Sequence, residues 1–243
     1  MATEAPTSRP GADSAPAAAP RPPSFRDAER KQLSMLAAVE KKTLIWLAQR
    51  MPGWVNSDHL TLLGFVAMFA AGLSYWAASR DRRALLLVIA ALAINWFGDS
   101  LDGTLARVRN RLRPRYGFYV DHITDAIGTF FLMGGLALSG YMSPYIALGL
   151  LIAYFLLSIE VYLTTYTIGS FHLSFWSFGP TELRLLLCIG NLALFWRPVV
   201  KLFGQRFLLF DVGGACGIAG MGLMLVWASI RHTRQLYQAE RLP

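Results

Sequence analysis

Cysteine is almost absent from this chain. The 243 residues hold two, Cys188 and Cys216. Both fall inside apolar stretches, which reads them as small buried hydrophobes and sets aside a disulfide framework or a thiolate metal site. Charge is scarce as well. Only 16% of residues are charged against 54% hydrophobic, and the mean hydropathy is +0.40, too apolar for an ordinary soluble domain. The net charge of +8 is spread between hydrophobic runs. That distribution fits membrane topology and attraction to anionic lipid, and points to no nucleic-acid partner. Residues 1–25, rich in Ala and Pro (Ala17-Ala18-Ala19-Pro20-Arg21-Pro22-Pro23), lack the apolar stretch a signal peptide needs and read as a disordered tail.

The hydrophobic pattern sets the architecture. Over 26–52, Leu33, Leu36, Ala37, Leu44, Leu47 and Met51 recur at helical spacing among Arg30, Lys31, Lys41 and Lys42, with Trp46 and Trp54 nearby. This predicts an amphipathic juxtamembrane helix lying on the bilayer, with a partner-binding helix as the plainer alternative. Six apolar stretches follow, near 60–79, 84–106, 116–138, 145–167, 181–198 and 207–230, each approaching the ~20 residues a spanning helix needs. Gly140 with Pro144, and Gly169, Gly179 with Pro180, punctuate two of the connections. The expected fold is an all-α integral membrane protein with six transmembrane helices over 53–231 and a short tail over 232–243. Seventeen Lys and Arg fall in the N-terminal region, the 107–115 loop, the 168–184 connection and the C-terminal tail, against six in the alternate loops. The excess places both termini and the 107–115 loop in the cytoplasm, in a bacterial-type inner membrane or an equivalent one.

Four carboxylates interrupt these apolar segments, in the pattern Asp99-x2-Asp102-Gly103-x2-Ala106-Arg107-x9-Gly117-x3-Asp121-x3-Asp125. Each charge at membrane depth costs about 3 kcal/mol on insertion scales, so four uncompensated carboxylates would cost roughly 10 kcal/mol. Asp99 and Asp102 are spaced i,i+3 and Asp121 and Asp125 i,i+4, so on helices each pair projects from one face. The predicted topology brings both pairs to similar depth, about two helical turns from the cytoplasmic surface. Facing pairs of this kind offer hard oxygen ligands suited to one or two divalent ions such as Mg²⁺ or Mn²⁺. Gly103 and Ala106 present small surfaces where a ligand can approach the backbone closely, or where helices can pack. Arg107, one turn beyond Gly103, is placed for a phosphate, whereas Arg109, Arg111, Arg113 and Arg115 read as lipid-facing or solvated charges.

The motif from Asp99 to Asp125 resembles the signature of the CDP-alcohol phosphotransferase family, with every fixed position present. The resemblance implies six transmembrane helices with a juxtamembrane helix, and a dimetal site that binds a CDP-linked donor. It implies release of CMP as an acceptor alcohol takes the phospho group. By the same resemblance Asp99, Asp102 and Asp121 hold one metal, Asp99, Asp121 and Asp125 the second, and Asp125 is also the general base. Gly103, Ala106, Arg107 and Gly117 fall on the donor side. The chemistry agrees: attack at phosphorus needs charge stabilisation, in-line positioning and a deprotonated hydroxyl.

Before the first span, Asn56-Ser57-Asp58-His59-Leu60-Thr61 resembles the family's second, weaker element, with Asn56 where Pro is common. This makes Asp58 and Thr61 candidates for the nucleotide pocket, and Ser57 or Asp58 a candidate helix cap. Glu160 is an intramembrane acid and functional by default. Glu182 opens the fifth helix, where it can meet the helix dipole or recognise an acceptor headgroup. His122 can touch substrate or serve as a hydrogen-bonded neighbour. The expected partners are a CDP-linked lipid or alcohol, an acceptor alcohol and membrane lipids, and the assembly can be a homodimer. The competing class is a cation-coupled transporter using the acidic cluster. The chain lacks the internal repeats and broken mid-membrane helices such a carrier would often show.

Overall fold

A computed structural model describes residues 37–168 and 180–241. The tail over 1–25, the first part of the juxtamembrane stretch and the Gly169–Gly179 connection lie outside the described residues. Seven helices and one hairpin follow in order: α1 (Ala37–Arg50), α2 (Ser57–Ala78), α3 (Ala84–Val108), α4 (Pro114–Leu138), α5 (Pro144–Ile168), α6 (Pro180–Trp196), β1 (Val199–Leu202), β2 (Gln205–Leu208) and α7 (Leu209–Ala239). The chain is an all-helical membrane protein. Among the described residues, α2, α3, α5 and α7 are long and apolar enough to cross a membrane by length and composition. Outside that set, α4 carries Arg115, Asp121, His122 and Asp125 in its first half, and α6 has 17 residues.

Local chemistry fixes the ends. Asn56, rather than Ser57 or Asp58, caps α2: its side chain accepts from His59 N at 3.0 Å, and the His59 ring accepts in return from Asn56 N at 3.4 Å. This reciprocal pairing satisfies two otherwise orphan donors. Asn110, at φ +56, ends α3 in the left-handed conformation that Asn tolerates. Arg111 N then returns to Ala106 O at 2.8 Å. The turn is tight enough for α4 to start at Pro114, so the aspartates of α3 and α4 lie at matching depth.

Helix α2 sits between α3 and α4 and contacts both at backbone range. A Cβ on Gly98 of α3 would fall 2.5 Å from Leu60 O and 2.7 Å from Gly64 N. A Cβ on Gly135 of α4 would overlap the backbone of Gly72, and one on Gly72 would overlap the Phe131 carbonyl. Small residues at both crossings bring the three axes close, as apolar surroundings favour. Around them Tyr75, Leu85, Val88, Leu92, Leu132 and Leu136 form a buried core, which Ala147, Leu194 and Phe210 extend to α5, α6 and α7. A second cluster seats Leu44 and Ala48 of α1 against Val55, Leu60, Leu101 and Leu105.

Two boundaries differ from the sequence reading. The fifth apolar stretch stops as helix at Trp196, because Pro198 disfavours helical backbone at Arg197. Residues 199–208 then form an antiparallel hairpin pairing Val199 with Leu208 and Leu202 with Gln205. At the other end α7 runs to Ala239, so much of the stretch read as a tail over 232–243 continues the helix.

Candidate metal centre

Three of the four motif aspartates converge. Asp99 on α3 and Asp121 and Asp125 on α4 each offer a carboxylate oxygen, all within 4.8 Å of one another, and all three residues are half-buried. Oxygens bound to one Mg²⁺ at about 2.1 Å stand about 3–4 Å apart, so a small inward movement would let the three share an ion. An all-oxygen, all-anionic donor set suits a hard divalent cation. A small pocket opens beside them, lined by Thr61, Gly64, Phe65, Met68, Asn95, Thr124, Asp99 and Asp125.

Asp102 does not join this group of three. It is buried at 9% exposure, and its carboxylate accepts from Thr61 Oγ1 at 2.6 Å and from Gly103 N. Ser57 Oγ donates to the Asp102 carbonyl at 3.1 Å, so the first turns of α2 are stitched to the motif through two hydroxyls. Thr61 therefore lines the pocket and holds Asp102 at once. Asp58 pairs with Arg113, which ties the start of α2 to the start of α4.

The remaining candidates surround the carboxylates. Gly103 is open except for Arg107, whose Nη2 would lie 4.0 Å from a Cβ placed there. Arg107 is exposed, Ala106 half-buried, and Gly117 exposed, with open space where its Cβ would be. His122 Nδ1 is 2.6 Å from the Phe118 carbonyl one turn earlier in α4, and its ring meets that of Tyr162 on α5 at 4.9 Å, so it is hydrogen-bonded within its own helix and packed against the next. Glu182 lies in the first turn of α6, where the helix dipole favours an acid.

Several residues at the site escape a reading of single segments. Arg184 of α6 donates from Nη2 to Asp99 Oδ2 at 2.5 Å and from Nε to Asn95 Oδ1 at 2.8 Å. Asn95 Nδ2 donates onward to Gly64 O at 3.0 Å. The spacing of Asn95 and Asp99, i and i+4 in an apolar run, is the one sequence signal for this bridge. Arg109, read as lipid-facing or solvated, instead turns inward and holds the carbonyls of Met51 at 2.8 Å and Pro52 at 2.9 Å, together with that of Val55. Glu40 of α1 accepts from Trp96 Nε1 at 2.9 Å and from Thr181 Oγ1 at 2.7 Å, joining α1 to α3 and α6 beside the site. Glu160 is committed elsewhere: its Oε1 lies 2.6 Å from His232 Nδ1 on α7 and accepts from Thr164 at 2.9 Å.

Comparison with known proteins gives one family. A family model described as CDP-alcohol phosphatidyltransferase matches residues 54–227, a span that includes the whole aspartate motif. A search of curated proteins finds no match.

Proposed function

We propose, for a chain that belongs to the CDP-alcohol phosphatidyltransferase family, that it moves a phospho-alcohol group from a CDP-linked donor to an acceptor alcohol in phospholipid synthesis, with release of CMP. The observation that carries this reading is the convergence of Asp99, Asp121 and Asp125 within 4.8 Å, at the family's motif positions and beside a pocket. Asp99, Asp121 and Asp125 would hold one ion, Mg²⁺ or Mn²⁺, and Asp102 would join them for a second of two ions by exchanging its contact with Thr61 for the metal. When bound, the ions supply charge neutralisation to the donor pyrophosphate.

The protein's own groups do the rest. Asp125 takes the proton from the acceptor hydroxyl, whose oxygen bonds to the donor's β-phosphorus as the bond to the CMP oxygen breaks. Thr61 keeps Asp102 oriented before that exchange, and Arg184 with Asn95 holds Asp99. Gly103, Ala106, Arg107 and Gly117 form the donor side, with Asp58 and Arg113 at its edge. Glu182 and His122 stand on the acceptor side.

The enclosing architecture is six spans, α2 to α7, with α1 lying on the bilayer and both termini and the aspartates on the cytoplasmic side. The Lys and Arg asymmetry supports that orientation. The functional test is CMP release by the purified full chain, given a CDP-alcohol and an acceptor. Release that requires Mg²⁺ or Mn²⁺ and stops with chelator supports the reading. Full activity in metal-free buffer would end it.

A further inference from the structure

The β1–β2 hairpin carries two local conflicts that a water-exposed turn would have no reason to keep. At its tip Phe203 has φ +49 and Gly204 φ +80, two consecutive left-handed residues between the paired Leu202 and Gln205. Turns of this type favour Asn-Gly. A bulky side chain at the first position is sterically disfavoured, and Phe203 is 100% exposed, so no contact among the described residues offsets it. One rung back, Lys201 stands directly opposite Arg206, and like charges facing across a strand pair repel.

One partner relieves both conflicts. An apolar layer would bury the Phe203 ring, and anionic groups at its surface would neutralise Lys201 and Arg206. The surroundings fit an anionic leaflet. Helix α6 has 17 residues, about 26 Å at 1.5 Å per residue, short of the ~30 Å hydrocarbon core. Within the six-span arrangement, the hairpin therefore begins at the depth of the lipid interface. Trp196 at 76% exposure and the exposed Val199, Leu202 and Phe207 continue the apolar surface there. This end of the molecule, opposite the aspartates, also carries Arg80, Arg82, Arg83 and Arg197. Its acids are engaged locally: Asp81 accepts from Arg83 N at 2.9 Å and Asp211 from Ser143 N at 2.6 Å.

We propose that the hairpin is a lipid anchor, with Phe203 inserted into the leaflet at this end and Lys201 and Arg206 on the phosphates of anionic phospholipid. A nitroxide on Phe203→Cys, in the full chain with Cys188→Ala and Cys216→Ala, tests this in nanodiscs of phosphatidylcholine with or without phosphatidylglycerol. The anionic discs should shield the label from a water-soluble nickel chelate severalfold better than neutral discs, and leave it open to oxygen. The pair Lys201→Glu and Arg206→Glu should remove the difference between the discs. Free access of nickel in anionic discs would overturn the proposal. So would spin–spin broadening that appears only with two chains per disc, because the occupant would then be a second copy. Phe203→Asn gives a check independent of the label. It should leave the melting temperature in neutral detergent unchanged or raised, since Asn suits the turn, and lower it in anionic discs. An equal shift in both media would contradict the anchor.

Discussion

The guanidinium of Arg184 on α6 lies 2.5 Å from Asp99 Oδ2 on α3, so a fixed cation already touches one of the three carboxylates that converge on the metal centre. The same arginine holds Asn95, and the fork sets the rotamer of Asp99 while offsetting part of the repulsion among the aspartates. An added divalent ion must compete with it for Asp99.

Arg184→Gln is therefore expected to destabilise the chelator-treated protein by about 1–3 kcal/mol, because a part-buried carboxylate loses its partner. Mn²⁺ should restore more stability to the variant than to the parent, since the competing charge is gone. Thermal unfolding with EDTA and with excess Mn²⁺ checks both. An equal metal-induced shift in the two proteins would show that Arg184 does not compete with the ion.

The Glu160–His232 pair links α5 to α7. Glu160→Gln should cost about 1–2 kcal/mol of stability and leave the metal concentration for half-maximal activity unchanged. A shifted metal requirement with unchanged unfolding would move Glu160 into the chemistry.

Single cysteines in a chain with Cys188 and Cys216 replaced test the orientation. Pro10→Cys and Leu112→Cys should react from the cytoplasmic side, and Asp81→Cys from the other. Labelling of position 112 from outside would put the aspartates on the wrong side for a cytosolic CDP-linked donor.

Glu182 separates a cap from a headgroup site. If the substrate carries a cationic amino alcohol, Glu182→Gln should weaken its use by about 1–3 kcal/mol, the cost of losing a charge-assisted contact. Turnover with a neutral alcohol should scarcely change. Equal loss for both would make Glu182 a helix cap.

The parts legible in the sequence are those governed by local pattern. Long apolar runs broken by Gly140, Pro144 and Pro180 place the helices to within a few residues, except at the end of α7, and i,i+3 and i,i+4 spacing puts the aspartates on common faces. What escapes is long-range or depends on a side chain's direction. Nothing in the neighbourhood of Arg184 marks it as the partner of a residue 85 positions earlier. Likewise Arg109 could be seen as a loop charge but not as the clamp on residues 51–55. Asp102 shares its spacing with Asp99, yet the hydroxyl of Thr61 turns it toward α2. The hairpin over 199–208 is hidden for a different reason: its residues are apolar enough to be absorbed into the ends of two helices.

The central claim is that the converging aspartates form one divalent-metal site that performs the transfer. Its most direct test measures Mn²⁺ binding and CMP release together, on purified parent and on Asp99→Asn, Asp121→Asn and Asp125→Asn, each shown to be folded. The parent should bind Mn²⁺ and release CMP. Each amide, which keeps side-chain volume and removes the charge, should weaken Mn²⁺ binding and cut turnover by at least about 100-fold. Folded variants that bind Mn²⁺ and release CMP like the parent would contradict the account.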